Sequence, residues 1–314
     1  MDTEQIKNLE NRMGLENLSR ANYFPKYFEM ETVRGCNARC SMCTIYEWNG
    51  RGLMSDNLFS RIVGEVKHYN DWIERVCLSR NGEPLLDKKL PERIKAIKEA
   101  GIKYVTFSTN ASLLNEEKTR ALISSGLDDI RFSIDGVTKK TFEEIRKGLN
   151  FEEVVENCLR FIRIRDEIGS TPTVQVRMTL QNANKHEEEE WKKYWKARIS
   201  GQDIVSSKPM HSWGNQLKNY EGEEKENGVY TGIPCISLWS TMIIHFDGRV
   251  PLCGCDYNNK FTLGNINNSS IQQVWQSQQF SSVRELHSSG KRNEIELCNG
   301  CNVWDSERKV VYKE

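Results

Sequence analysis

Short runs rich in β-branched and aromatic residues alternate with helical patterns along residues 27–207, and this alternation most limits the folds open to the chain. The candidate strands are YFEMETVR (27–34), IERVCLS (73–79), KYVTFST (103–109), DIRFSID (129–135) and TVQVRMTL (173–180), with a weaker one in QDIVSS (202–207). Between them, LPERIKAIKEAG and NEEKTRALISSG each end at a glycine suited to a helix C-cap, and FEEVVENCLRFIRIRDEIG repeats apolar residues at helical spacing. About six strand-helix units precede residue 210, and such repetition predicts a parallel α/β sheet, open or curled into a barrel.

Three of these strands carry one apolar and one polar face. Val105 and Phe107 alternate with Thr106, Ser108 and Asn110; Ile130, Phe132 and Ile134 with Arg131, Ser133 and Asp135; Val174, Val176 and Met178 with Gln175, Arg177 and Thr179. A parallel strand buried on both sides would be mostly apolar. Helices are therefore expected over the apolar faces, with the polar faces lining a hydrated cavity that holds a polar ligand.

With 314 residues, 38% of them hydrophobic, the chain can bury one large core, or one core and a small appended domain. Lysine plus arginine (44) equals aspartate plus glutamate (44), so the net charge points to neither nucleic acid nor an anionic membrane as partner. The polar opening MDTEQIKNLENRMG lacks the apolar core of a signal peptide, and no later run is long enough to span a bilayer, so a cytoplasmic protein is expected. Ten cysteines in a reducing compartment are read as metal ligands, catalytic groups or core residues, not as disulfides.

Three of the ten, Cys36, Cys40 and Cys43, follow the first strand in RGCNARCSMC, at the carboxyl strand end where parallel α/β folds place ligands. Three thiolates close a tetrahedral zinc site only with a distant fourth ligand. They can also hold three irons of a four-iron, four-sulfur cluster and leave the fourth open.

The strand ends beyond this loop carry a resemblance. NGEPLL (81–86), STN (108–110) and SIDG (133–136) follow in order, and with the cysteine loop the chain resembles the radical S-adenosylmethionine (SAM) enzymes over nearly its whole length. The resemblance implies that Cys36, Cys40 and Cys43 hold a SAM-binding 4Fe-4S cluster. It makes 81–86 the loop that holds the cofactor's amino group through backbone carbonyls and the Glu83 carboxylate, with Asn81 where the family has glycine. Ser108, Asn110 and Ser133 become candidate ribose or carboxylate contacts, Arg146 a partner of the cofactor carboxylate, and Arg177 a further cofactor contact. The implied chemistry is reductive cleavage of SAM to a 5′-deoxyadenosyl radical that takes a hydrogen atom from the substrate.

Cys235, Cys253, Cys298 and Cys301 resemble the twitch domain, a shortened SPASM domain that binds one auxiliary cluster, which makes two 4Fe-4S clusters in all; a zinc ribbon is the alternative. Cys255 is a candidate hydrogen-atom donor, an alternative ligand or an inert thiol, while Cys77 and Cys158 are expected in the core. The implied fold is a partial (β/α)6 TIM-like barrel with a C-terminal twitch domain: a helical extension at 1–26, the barrel at 27–207, a linker at 208–230 and the twitch domain at 231–314. His211 and Trp213 in the linker are candidates to face the substrate, and Trp191 or Trp195 to pack inward from a solvated helix. The expected activity is oxidation of a polar small molecule such as a sugar or aminocyclitol. The alternatives are epimerisation through Cys255, peptide modification, and a non-enzymatic iron-sulfur electron carrier. A reductase such as flavodoxin or ferredoxin is the expected redox partner.

Overall fold

The computed structural model describes residues 1–169, 171–217, 220, 233–301 and 303. The strands are β1 (Tyr27–Met30), β2 (Val33–Arg34), β3 (Gly52–Leu53), β4 (Arg75–Cys77), β5 (Tyr104–Thr109), β6 (Asp129–Ser133), β7 (Thr173–Leu180), β8 (Ile204–Pro209), β9 (Thr241–Ile244), β10 (Arg249–Pro251) and β11 (Thr262–Asn265). Seven of them form one sheet in the order β8-β7-β6-β5-β4-β1-β9. Every neighbouring pair in it is parallel. Its edges, β8 and β9, do not pair, so among the described residues the sheet stays open.

The period-two pattern is realised as expected. Val105, Phe107, Ile130, Phe132, Val174 and Val176 are fully buried. Over them lie α4 (Leu90–Glu99), α5 (Glu116–Ser124) and α7 (Phe151–Ile168), which contribute Ile94, Ile97, Leu122, Val154, Cys158 and Phe161 to the same core. Helix starts are fixed by side-chain caps: Asn115 accepts from Lys118 N, and Asn150 from Glu153 N. α7 stops at Gly169, whose φ of 70° is open to glycine at little cost. Both Trp191 and Trp195 are buried from α8 (Glu188–Lys196).

One sheet strand was not legible beforehand. β9 comes from the carboxyl-terminal part of the chain and pairs with β1, Tyr27 facing Thr241 and Met30 facing Ile244. The core therefore runs without a break from Leu9 in α1 (Thr3–Met13) to Cys298. Beyond β9, β10 and β11 form an antiparallel hairpin. Much of the expected linker, 218–219 and 221–230, lies outside the described residues, as do 231–232 and almost everything after Cys301. Among the described residues no helix is long and apolar enough to cross a membrane.

Candidate active site

The cysteine loop leaves the sheet through β2 and is fixed from below by a buried ion pair. Arg34 Nε lies 3.0 Å from Glu31 Oε1, with both side chains inaccessible to solvent. Arg34 also donates to the carbonyls of Asn49 (3.0 Å) and Tyr257 (2.5 Å) and to His245 Nδ1 (3.3 Å). One guanidinium thus ties the loop of Cys36, Cys40 and Cys43 to the segment that carries Cys253 and Cys255.

Glu83 locks the next loop to the sheet. Its carboxylate accepts from Leu85 N (3.0 Å), Thr109 Oγ1 (2.6 Å) and Asn110 N (2.8 Å), while its own N–H donates to the Gly35 carbonyl (2.8 Å). Burial pushes this carboxyl upward in pKa, and the three donors oppose that. The loop crosses the cysteine loop so closely that a Cβ on Gly82 would stand 2.2 Å from the Val33 carbonyl oxygen. Asn110 in turn donates from Nδ2 to Asn37 Oδ1 (3.0 Å) and reaches Cys36 Sγ (3.8 Å).

Arg146 stands on the other side of the thiols. Its Nε donates to Asp135 Oδ2 (2.6 Å) and Nη1 to Cys40 Sγ (3.7 Å). Burial works against its charge, but Asp135 and the neighbouring thiols hold it. Asp135 is itself inaccessible and accepts from Thr179 N (2.6 Å), which fixes the guanidinium against the end of β7. Burial, with the neighbouring thiols adding to it, pushes the Cys36 thiol up to about 11 and Cys43 to about 12, so in the bare protein these sulfurs keep their protons. A bound metal displaces such a proton outright.

The three thiols, Glu83, Asn110 and Arg146 open onto one cavity of about 670 Å3. Cys36, Cys40, Cys43, Glu83, Ser108, Asn110, Ser133, Arg146 and Arg177 line it, so nine residues singled out from sequence converge there. His211 and Trp213 line it too, Trp213 Nε1 donating to the Met42 carbonyl (3.2 Å). Glu29, Arg80 and Lys208 were missed, whereas Arg131 lines the cavity as its place on a polar strand face led one to expect. Cys77 is buried as expected, yet its side of the strand also lines the cavity, because Val76 and Leu78 take the opposite face of that segment.

The carboxyl-terminal thiols gather apart from this cavity. Cys298 lies within electrostatic reach of Cys253, Cys235 and Cys301, and its pKa rises through burial first and those thiols second. Cys255 is 1% exposed, does not line the cavity, and hydrogen-bonds through its thiol with Cys253 and Cys301. Arg80 joins the two regions. Nη1 lies 2.7 Å from Glu29 Oε2 in the cavity, and Nη2 donates to the Gly254 carbonyl between Cys253 and Cys255.

Three thiols on one cavity, and four within electrostatic reach of one another, are the soft donors that iron-sulfur clusters take, and Cys36, Cys40 and Cys43 would hold one cluster and Cys235, Cys253, Cys298 and Cys301 another. Residues 30–191 match the family model of the Radical SAM superfamily. The chain belongs to the radical SAM superfamily. Residues 235–302 match the SPASM model, an iron-sulfur cluster-binding domain. These two domains imply SAM and iron-sulfur clusters as cofactors.

This radical SAM protein is 22% identical over 324 residues to a tungsten-containing aldehyde ferredoxin oxidoreductase cofactor-modifying protein of Pyrococcus furiosus, covering 90% of this chain and 88% of that one. It is 29% identical over 281 residues to an S-adenosyl-L-methionine-dependent 2-deoxy-scyllo-inosamine dehydrogenase of Niallia circulans, covering 87% and 91%. Its fold is similar to that of BtrN in complex with AdoMet and 2-DOIA, with a TM-score of 0.60, 20% identity, and coverage of 89% and 93%.

Proposed function

We propose that this radical SAM enzyme dehydrogenates a hydroxylated small molecule, with SAM bound against a 4Fe-4S cluster held by Cys36, Cys40 and Cys43. The observation that carries this reading is the convergence of the three thiols and residues of the three other strand-end motifs on one cavity. When bound and reduced, cluster and cofactor supply a radical able to take hydrogen from an unactivated C–H bond. The chain's part is to bind, orient and keep dry. Arg146, pinned by Asp135, presents its guanidinium to the cofactor carboxylate. Ser108, Asn110 and Ser133 meet the ribose or carboxylate, and Glu83, occupied by three donors, holds the loop whose backbone receives the amino group. Trp48, Met210 and Trp213 furnish apolar wall.

Among the described residues only two carboxylates line the cavity, and Glu83 is spent on its own loop. Glu29, held by Arg80, is therefore the acceptor for the proton of the substrate hydroxyl. Cys235, Cys253, Cys298 and Cys301 would hold one auxiliary cluster, giving two in all and supplying an acceptor for the electron left on the substrate radical, with Cys255 a fifth thiol beside it. Flavodoxin or ferredoxin supplies electrons, and the enzyme works in the cytoplasm. The dehydrogenase relative, matched over 91% of its length, supports oxidation.

Epimerisation has one observation in its favour, and it concerns a different thiol from the one expected. Cys77 opens onto the cavity, whereas Cys255 turns to Cys253 and Cys301. The test is an anaerobic assay in deuterated water against a panel of sugars, aminocyclitols and peptides, following substrate mass and 5′-deoxyadenosine. A loss of two daltons that survives Cys77→Ala supports dehydrogenation; a gain of one dalton that requires Cys77 replaces it with epimerisation.

A further inference from the structure

We propose that Arg131 and Arg177 form a subsite for an oxyanion on the substrate, so that the enzyme takes a carboxylated or phosphorylated molecule in preference to an amino-bearing one. The inference rests on the function proposed above and narrows its substrate class.

Among the described residues the cavity is lined by Arg80, Arg131, Arg146, Arg177 and Lys208 against Glu29 and Glu83. Three of the arginines have a carboxylate of their own: Arg80 has Glu29 at 2.7 Å, Arg131 has Asp129 at 2.8 Å, and Arg146 has Asp135 at 2.6 Å. Arg177 differs. Its Nε (3.2 Å) and Nη2 (2.6 Å) both donate to the amide oxygen of Gln175, a neutral acceptor that leaves the charge unmatched.

Arg131 lies beside it in the sheet. Arg131 faces Gln175 in register and Ser133 faces Arg177, so the two arginines are diagonal neighbours on one polar face. Arg131 is 7% exposed, and its Nη2 has no hydrogen-bond partner. Two guanidinium groups therefore share one carboxylate at the floor of a cavity. Burial first, and the charge of Arg131 second, hold the pKa of Arg177 down to about 10. A buried cation left without a countercharge is costly, and a planar oxyanion fits the fork of a guanidinium, whereas an ammonium group would meet like charge.

This places Arg177 on the substrate and not, as the resemblance implied, on the cofactor, whose carboxylate is the competing occupant, and the test separates the two. Anaerobic, iron-loaded protein is titrated with inorganic phosphate and, separately, with acetate at constant ionic strength, and SAM affinity is measured on the same samples. Phosphate or acetate should bind the wild type, the better of the two telling a phosphate ester from a carboxylate. Affinity should fall about tenfold in Arg177→Gln, and again in Gln175→Glu, which supplies the missing carboxylate without removing the arginine, while SAM affinity moves less than about twofold. The inference is overturned if neither anion binds, if both variants bind as the wild type does, or if SAM affinity falls along with anion affinity. Reductive SAM cleavage by the same preparation reports on the proposed function separately, and its loss would not alter the anion titration.

Discussion

Asp135 shapes the site without reaching a ligand. It is inaccessible, holds Arg146 at 2.6 Å and accepts from Thr179 N, so its charge sets where a second guanidinium points. In Asp135→Asn that guanidinium loses its countercharge while the contact to Thr179 can persist. Urea denaturation should show a loss of about 3 kcal/mol. A loss below about 1 kcal/mol, the range of a surface pair, would mean that Arg146 finds another partner or reaches water. Glu29 is tested through rate. Glu29→Gln keeps the size and one acceptor but cannot take a proton, and turnover should fall by about 100-fold or more with KM little changed. Unchanged turnover would assign the proton to another group.

Between elements, the closest coupling is that of the cysteine loop to β9 and its sequel. Arg34 bonds Glu31, Tyr257 and His245 at once, and His245 follows β9 directly. Burial, helped by the Arg34 charge, pulls His245 from the usual 6.5 down to about 3. The folded ring therefore stays neutral where the unfolded chain takes up a proton. Stability from this group is complete above about pH 6.5 and is lost as pH falls toward 3, by up to about 1.4 kcal/mol per pH unit. His245→Asn should flatten that acid limb in a pH series of denaturation curves, and an unchanged limb would place the titration elsewhere.

The same elements show what was legible. β5, β6 and β7 could be read closely because period-two alternation and flanking glycines are local signals, and their polar rows foretold the cavity. β9 could not, since its four residues are buried and its partner β1 lies some two hundred positions earlier, so no local pattern announces the pairing. The ion pair of Arg80 with Glu29, 51 positions apart, was hidden for the same reason. Spacing alone also says nothing of direction: it named Cys77 and Cys255 but not that the first opens to the cavity and the second to its fellow thiols.

At the scale of the molecule, one core joins the strand-helix repeats to the SPASM region, and Arg80 links the substrate cavity to the loop of Cys253 and Cys255. Two separate thiol sets should then load separately. The most direct test of the account is reductive SAM cleavage by anaerobically reconstituted protein, wild type against Cys36→Ala, Cys40→Ala and Cys43→Ala, with iron counted in each. The account predicts 5′-deoxyadenosine from the wild type with about eight irons, and none from any variant, each of which keeps the auxiliary cluster and about four irons. Cleavage that persists in a variant would contradict the placement of the SAM-binding cluster at these three cysteines.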